Sequence, residues 1–280
     1  MLFDLYSLLL AVKKIHSQRL GWRGVRLYFA FGRLKIKNRL LQFFNRQATR
    51  ESFLGYKIRF FSYPTFVYLV EEIFIDGLYQ FETKKTAPLI FDCGSNIGIS
   101  ILYFKYRYPD AHIVAFEPDK NTYDLLNANI VSNGLTHVQT HNVALSDSEG
   151  SINFYTGAAG SLSASVVRER TLKIEHPATA VRSRKLSGLI DRPIDYLKMD
   201  IEGAELECMP EVASSGSLKN VHQLVIECHH NIGSKKPILA EMLSILNTSG
   251  FIYQVSSHAR FPISHSQTQD VMIYAQMPTI

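Results

Sequence analysis

Pro88-Leu-Ile-Phe-Asp-Cys-Gly-Ser-Asn-Ile-Gly98 decides how this chain folds. Residues 88–92 form a short apolar run that ends on an acid, the pattern of a parallel strand buried on both faces. Residues 92–98 then make a loop, and from Ile97 to Tyr108 the apolar spacing is that of a helix. Gly94 permits a sharp backbone turn and a close approach. Asn96 tolerates a left-handed conformation better than other non-glycine residues, and Gly98 lets the helix pack near the strand. Strand, glycine turn and helix in that order make one crossover of an α/β sheet.

A regular strand–helix alternation starts here and continues downstream. Upstream, residues 55–61 read as a short strand, Tyr63-Pro64 as a turn, and 65–78 as a helix with Asp76-Gly77 near its end. Downstream, strands are expected at 112–117, 138–145, 194–199, 221–228, 251–255 and 271–275. Helices are expected at 119–133 and 237–248. This is an α/β chain: a doubly wound, mostly parallel seven-stranded sheet with helices on both faces, the late pair of strands allowing one antiparallel member. Such sheets bind ligands beyond the carboxyl ends of their strands, where strand order reverses.

The candidate ligand residues stand at those ends. Asp92 is the first. A pyrophosphate held by bare amides at a helix N-terminus would be repelled by a carboxylate there. S-adenosylmethionine, a sulfonium and ammonium cation without phosphate, would be welcomed. The loop also lacks the middle glycine of the dinucleotide pattern. Glu117 ends the second strand and can accept both ribose hydroxyls, and Pro118 stops the strand. Asn142, before Val143 and Ala144, offers a donor and an acceptor to the edge of an adenine. Asp92, Gly94, Asn96, Gly98, Glu117 and Asn142 are therefore the expected cofactor residues.

Four segments, DCGSNIG (92–98), AFEPD (115–119), NVALSD (142–147) and YLKMDIEGAELE (196–207), resemble the FkbM-type methyltransferases. Those sequences run Asp-x-Gly-Ala-Asn-x-Gly, Phe-Glu-Pro and Lys-x-Asp-x-Glu-Gly-Ala-Glu. The likeness spans about residues 55–275. It implies a class I methyltransferase-like sheet, S-adenosylmethionine as cofactor, and O-methylation of sugars or of polyketide-derived or lipid-linked hydroxyls. Ser95 replaces the usual Ala, and Leu186-Ser187 stands where the family commonly has Leu-Asp.

On the acceptor side, Asp200 ends the fourth strand with Glu202 just beyond, and Glu227, His229 and His230 lie at the end of the fifth. Methyl transfer needs alignment of acceptor and methyl group and removal of a hydroxyl proton. Asp200, Glu227 and His229 are expected to supply that machinery, with a strand-end His or a neighbouring carboxylate as general base. The same three can hold a divalent metal that acidifies the hydroxyl, a reading less favoured than metal-free base catalysis. Glu202 and Glu205 equally suit a helix N-terminus. The small-residue loop 157–165 suits a lid. The basic stretch 168–184 (Arg168, Arg170, Lys173, Arg182, Arg184) suits either an anionic acceptor or plain solvation. Two rival classes stay open: a nicotinamide-dependent oxidoreductase, and a non-catalytic membrane-associated module.

Charge is unevenly distributed. Residues 1–50 hold eleven Lys or Arg against Asp4 alone, while the whole chain carries +5. That divides the chain into a basic amphipathic helical extension (1–50) and a methyltransferase domain (51–280). Basicity confined to one end argues against a nucleic-acid partner. It favours an interfacial helix touching a membrane peripherally, or a helical cap. The run 1–12 is too short to span a bilayer, and the basic residues follow it rather than precede it. Three cysteines without a Cys-x-x-Cys pair fit a reducing cytoplasm, the expected location.

Overall fold

The computed structural model describes residues 2–157, 164–168, 177–230, 232, 238–257 and 269–278. Helices α1 (Leu2–Ser17) and α2 (Trp22–Phe43) lead into a hairpin of β1 (Arg50–Phe53) and β2 (Tyr56–Arg59). Helix α3 (Tyr63–Val70) starts at Ser62, whose hydroxyl accepts from the Thr65 amide, with Pro64 in its first turn. It continues as a π-turn over Glu71–Ile75, so the single helix expected over 65–78 is two geometries in series.

The main sheet is built from β3 (Leu89–Cys93), β4 (His112–Phe116), β5 (Val138–His141), β9 (Ile194–Met199), β10 (Val221–His230), β11 (Ile252–Ser257) and β12 (Gln269–Gln276). Their spatial order is β11-β12-β10-β9-β3-β4-β5, with β12 antiparallel to both neighbours and the β10-to-β5 series parallel. The chain winds outward from β3 through β4 to β5, then returns to lay β9 on the other flank of β3. The reversal therefore falls between the ends of β3 and β9. Helices α4 (Ile99–Arg107), α5 (Lys120–Ser132), α6 (Glu205–Ser214) and α7 (Leu239–Thr248) supply the crossovers. Alternate residues of a strand enter opposite cores: Ile90, Tyr196, Val225 and Met272 in one, Phe91, Leu197, Ile226 and Ile273 in the other. Each such side chain contributes about 1.5–3 kcal/mol by leaving water.

Two expectations change. The third strand does not run through 145: β5 ends at His141, and β6 (Ala144–Ser146) joins a separate three-stranded sheet with β7 (Gly150–Phe154) and β8 (Thr179–Lys185). Neither β7 nor β8 was expected, because both are largely polar and half-exposed. The basic residues Arg182 and Arg184 belong to β8, whereas Arg170, Lys173 and most of the 157–165 loop lie outside the described residues.

Helices α1 and α2 pack on the body. Leu27, Phe31 and Leu34 are fully buried in one core with Phe53, Phe66 and Phe74, and Gln18 donates to the Phe74 and Ile75 carbonyls. No described helix is long and apolar enough to cross a membrane.

Candidate active site

The switch point is closed by backbone contact. Gly94, at φ +81°, lies so near β9 that a Cβ would stand 1.8 Å from the Asp200 carbonyl oxygen. The Asp200 amide donates to the Cys93 carbonyl at 3.1 Å, and the Gly94 and Ser95 amides both donate to Phe116. Beneath this loop lies Lys198, 1% exposed, whose ammonium donates to the carbonyls of Gly94 (2.5 Å) and Cys93 (3.2 Å). Its charge is matched by Asp92 and Asp200, each at 3.5 Å. Burial alone would lower its pKa; the two aspartates reverse that and raise it to about 12.

Asp92 is thus not a ligand-facing charge. It is completely buried, accepts from the Ser100 hydroxyl at 2.6 Å and pairs with Lys198, so its expected contact with a cationic cofactor is replaced by an internal one. Gly98 likewise serves packing. It caps α4 at φ +88°, where a Cβ would meet Leu126 of α5 at 2.7 Å, so its neighbour is a helix and not the strand. Asn142 does not present its amide to a ligand either: its nitrogen donates to the Glu117 and Pro118 carbonyls, clamping the end of β4.

One cavity runs across the switch point. On the β3–β4 side it is lined by Gly94, Asn96, Glu117, Val143, Ala144 and Leu145. Asn96 adopts φ +48°, with its side-chain oxygen accepting from the Ile97 amide. Glu117 accepts one bond per oxygen, from the amides of Asn96 (3.0 Å) and Asp119 (2.9 Å), leaving a second lone pair on each. Burial outweighs those bonds and lifts its pKa to about 8.

On the β9–β10 side the cavity meets Tyr68, Glu72, Tyr79, Asp200, Glu202 and Glu227. Asp200 accepts from the Tyr79 hydroxyl at 3.0 Å; burial raises its pKa, but Lys198 and His229 outweigh burial and hold it below the ordinary carboxylate value. Glu227 goes the other way: burial, then Asp200, push its pKa well above the ordinary carboxylate value. Glu72, on the π-turn and bonded to the Tyr68 hydroxyl, is raised by burial and by Asp200 to about 7.

His229 sits inside β10 with 1% exposure, behind the cavity wall. Its Nδ1 lies 2.9 Å from Glu205, and its Nε2 lies 3.3 Å from Glu202 and 4.0 Å from Asp200. Glu205 also accepts from the Ile201 and Gly203 amides, shaping the turn in which Glu202 takes φ +55°. Burial would lower the imidazole's pKa, but Glu205 and Glu202 raise it to about 10. His229 is therefore an imidazolium at neutral pH and cannot take a proton; the expectation of a histidine base gives way to a fixed positive charge steadying Glu202 and Asp200. The metal alternative keeps its geometry, since ligand atoms of Asp200, Glu227 and His229 all lie within 4.8 Å of one another. His230, half-buried, accepts through Nδ1 from the Ile238 and Leu239 amides at the start of α7.

Lys198, Tyr79 and Glu72 went unassigned in the sequence reading. Lys198 was visible within the KMDIEGAE segment. Glu72 left one signal, an acidic pair, Glu71-Glu72, in an otherwise apolar helical run.

Comparison with known proteins places the chain among methyltransferases. A methyltransferase FkbM domain model matches residues 92–253. The chain is 30% identical over 217 residues to methyltransferase sdnD of Sordaria araneosa, covering 66% of this chain and 81% of that one. It is 28% identical over 189 residues to the hexuronic acid methyltransferase AglP of Haloferax volcanii, covering 66% and 74%. Among solved structures, an FkbM methyltransferase from Methylobacillus flagellatus superposes with a TM-score of 0.46 at 17% identity, covering 75% of this chain and 53% of that one.

Proposed function

The chain belongs to the FkbM methyltransferase family, and from that premise we propose that it carries a methyl group from S-adenosylmethionine to a hydroxyl of a saccharide, glycolipid or polyketide-like acceptor. The observation that carries this reading is the single cavity joining Glu117 to Asp200 and Glu72 across the switch point. Its wall holds seven acidic side chains (Glu72, Glu117, Asp119, Asp200, Glu202, Glu227, Asp270) and, among the described residues, one cation, Lys198, already paired with two aspartates. That wall suits a sulfonium and an ammonium and opposes the pyrophosphate of a nicotinamide dinucleotide.

S-adenosylmethionine supplies, when bound, a methyl on a sulfonium that leaves as a neutral thioether. The residues do the rest. Glu117 has a free lone pair on each oxygen for the two ribose hydroxyls. Asp200, ionised and fixed by Tyr79 and Lys198, orients the acceptor O–H by accepting its hydrogen bond. Glu72, with a pKa of about 7, takes the proton, a basicity matched to neutral pH. The name of the Haloferax relative, a hexuronic acid methyltransferase, supports a saccharide acceptor.

A second reading rests on the convergence of Asp200, Glu227 and His229. A divalent cation there would replace the imidazolium proton on Nε2, with Glu205 holding Nδ1, and would acidify the hydroxyl itself.

Incubation with methyl-labelled donor and candidate glycosides, followed by product mapping, tests the proposal. Label on a hydroxyl oxygen is expected; label on nitrogen or carbon, or tighter calorimetric binding of NADH than of S-adenosylhomocysteine, refutes it. Loss of turnover in chelator, restored by Mg2+, selects the metal-assisted form.

A further inference from the structure

Helix α2 carries two apolar faces, and only one is used by the fold. Gly24, Leu27, Phe31 and Leu34 face the core. On the opposite side Trp22, Val25, Phe29, Ile36, Leu40 and Phe43 are all more than half exposed, Phe43 at 80%. At 3.6 residues per turn these six fall within an arc of about 60°. A stripe of this width and aromatic content is a surface with an occupant, not scattered exposure.

The flanks name the occupant. On the helical wheel Arg26, Arg33 and Lys37 border the stripe on one side, and Lys35 and Arg39 on the other; Arg26 also lies over the Trp22 ring at 5.3 Å. Glu51 and Glu71 of the body neutralise part of this charge through Arg33, Lys37 and Lys35. The helix itself has no acid, and residues 1–50 still hold eleven basic residues against Asp4. A second copy docking symmetrically would set these cations against their own kind. Nucleic acid would leave the aromatic stripe in water. Apolar side chains at the acyl boundary with Lys and Arg at the headgroups describe a helix lying in an anionic membrane surface.

We propose that the outer face of α2 seats this protein on an anionic bilayer. The consequence reaches the cavity. The inner face of α2 packs on α3 and the π-turn, and Lys35 pairs with Glu71, next to the cavity residues Glu72 and Ile73. The helix that would lie in the headgroups thus packs directly on the element that lines the acceptor side of the cavity.

Trp22 is the sole tryptophan of the chain, so the intact protein reports on itself. Its emission should shift to the blue with phosphatidylcholine vesicles containing phosphatidylglycerol, and be quenched by brominated acyl chains. It should respond about tenfold more weakly to phosphatidylcholine alone, and release as salt is raised. The variant Phe29→Ser/Ile36→Ser/Phe43→Ser should lose cosedimentation about tenfold or more, with melting temperature and S-adenosylhomocysteine binding unchanged. An unshifted Trp22 emission, no preference for anionic vesicles, or equal sedimentation of the variant overturns the proposal. So does light scattering that shows a dimer broken by the variant, which would assign the stripe to a second copy.

Discussion

Changing Glu117 to Gln should alter nucleoside binding in two separable ways. The carboxyl lies 7% exposed, and burial holds its pKa at about 8. Ribose hydroxyls donate, so they bind the ionised form. At pH 7 ionising the group costs about 1.4 kcal/mol, and S-adenosylhomocysteine affinity should rise about tenfold between pH 7 and a plateau above pH 9. By the same linkage, binding at pH 7 should release about 0.9 proton, visible as a difference in calorimetric heat between phosphate and Tris buffers. In the Gln variant both signatures vanish. Its amide nitrogen would also oppose the Asn96 or the Asp119 amide, two donors facing each other, and the loss of about 1–3 kcal/mol lowers affinity ten- to a hundredfold. Equal heats in the two buffers for the unaltered protein, or a pH slope that persists in the variant, would refute the role given to this carboxylate.

Asp92→Asn leaves the buried Lys198 with Asp200 as its one remaining carboxylate and should cost about 1–3 kcal/mol of stability in a denaturant titration; an unchanged midpoint would return Asp92 to the ligand. Gly94→Ala drives a methyl into the Asp200 carbonyl at a positive φ, and at about 4 kcal/mol or more it should leave little folded protein, as circular dichroism would report. Glu72→Gln should lower kcat by about 10²–10⁴ with KM for the methyl donor unchanged, and remove the rising limb near pH 7 from the kcat profile. If that limb survives, the proton goes elsewhere.

The main sheet was legible because its central parallel strands, β3, β9 and most of β10, are runs that must be apolar on both faces, and because acids and glycines mark where such runs stop. Strand β8, with Arg182, Arg184 and Lys185 over one small buried serine, carries no such pattern; its partners hold it, not its own hydrophobicity. The positions of Asp92, Glu117 and Asp200 could be read for the same reason, since a strand end is a place in space. What each of them touches could not. Asp92 and Lys198 are adjacent in register yet more than a hundred residues apart in sequence, and nothing local to either announces the pair. Asn142 looked like a ligand because it ends a strand, but clamping two carbonyls is an equally polar occupation. Glu72 lies outside the strand–helix alternation altogether.

Asp92 and Lys198 cancel within the loop floor, so the sign of the cavity is set by groups that no single motif contains. Even with burial favouring the neutral forms of Glu72, Glu117 and Glu227, four further acids, Asp119, Asp200, Glu202 and Asp270, stand in the wall against that one satisfied ammonium. A diphosphate would enter this field as an added anion, with the β3 loop tied down from below by Lys198 and Asp200 and so unable to reopen around it. The sulfonium nucleoside of the proposed reaction would enter as the missing cation. The preference for a cationic cofactor that we propose would thus be a property of two strand ends pressed together at Gly94, and it would survive removal of any one acid that faces the ligand, though not the loss of the contact that brings the acids into one wall.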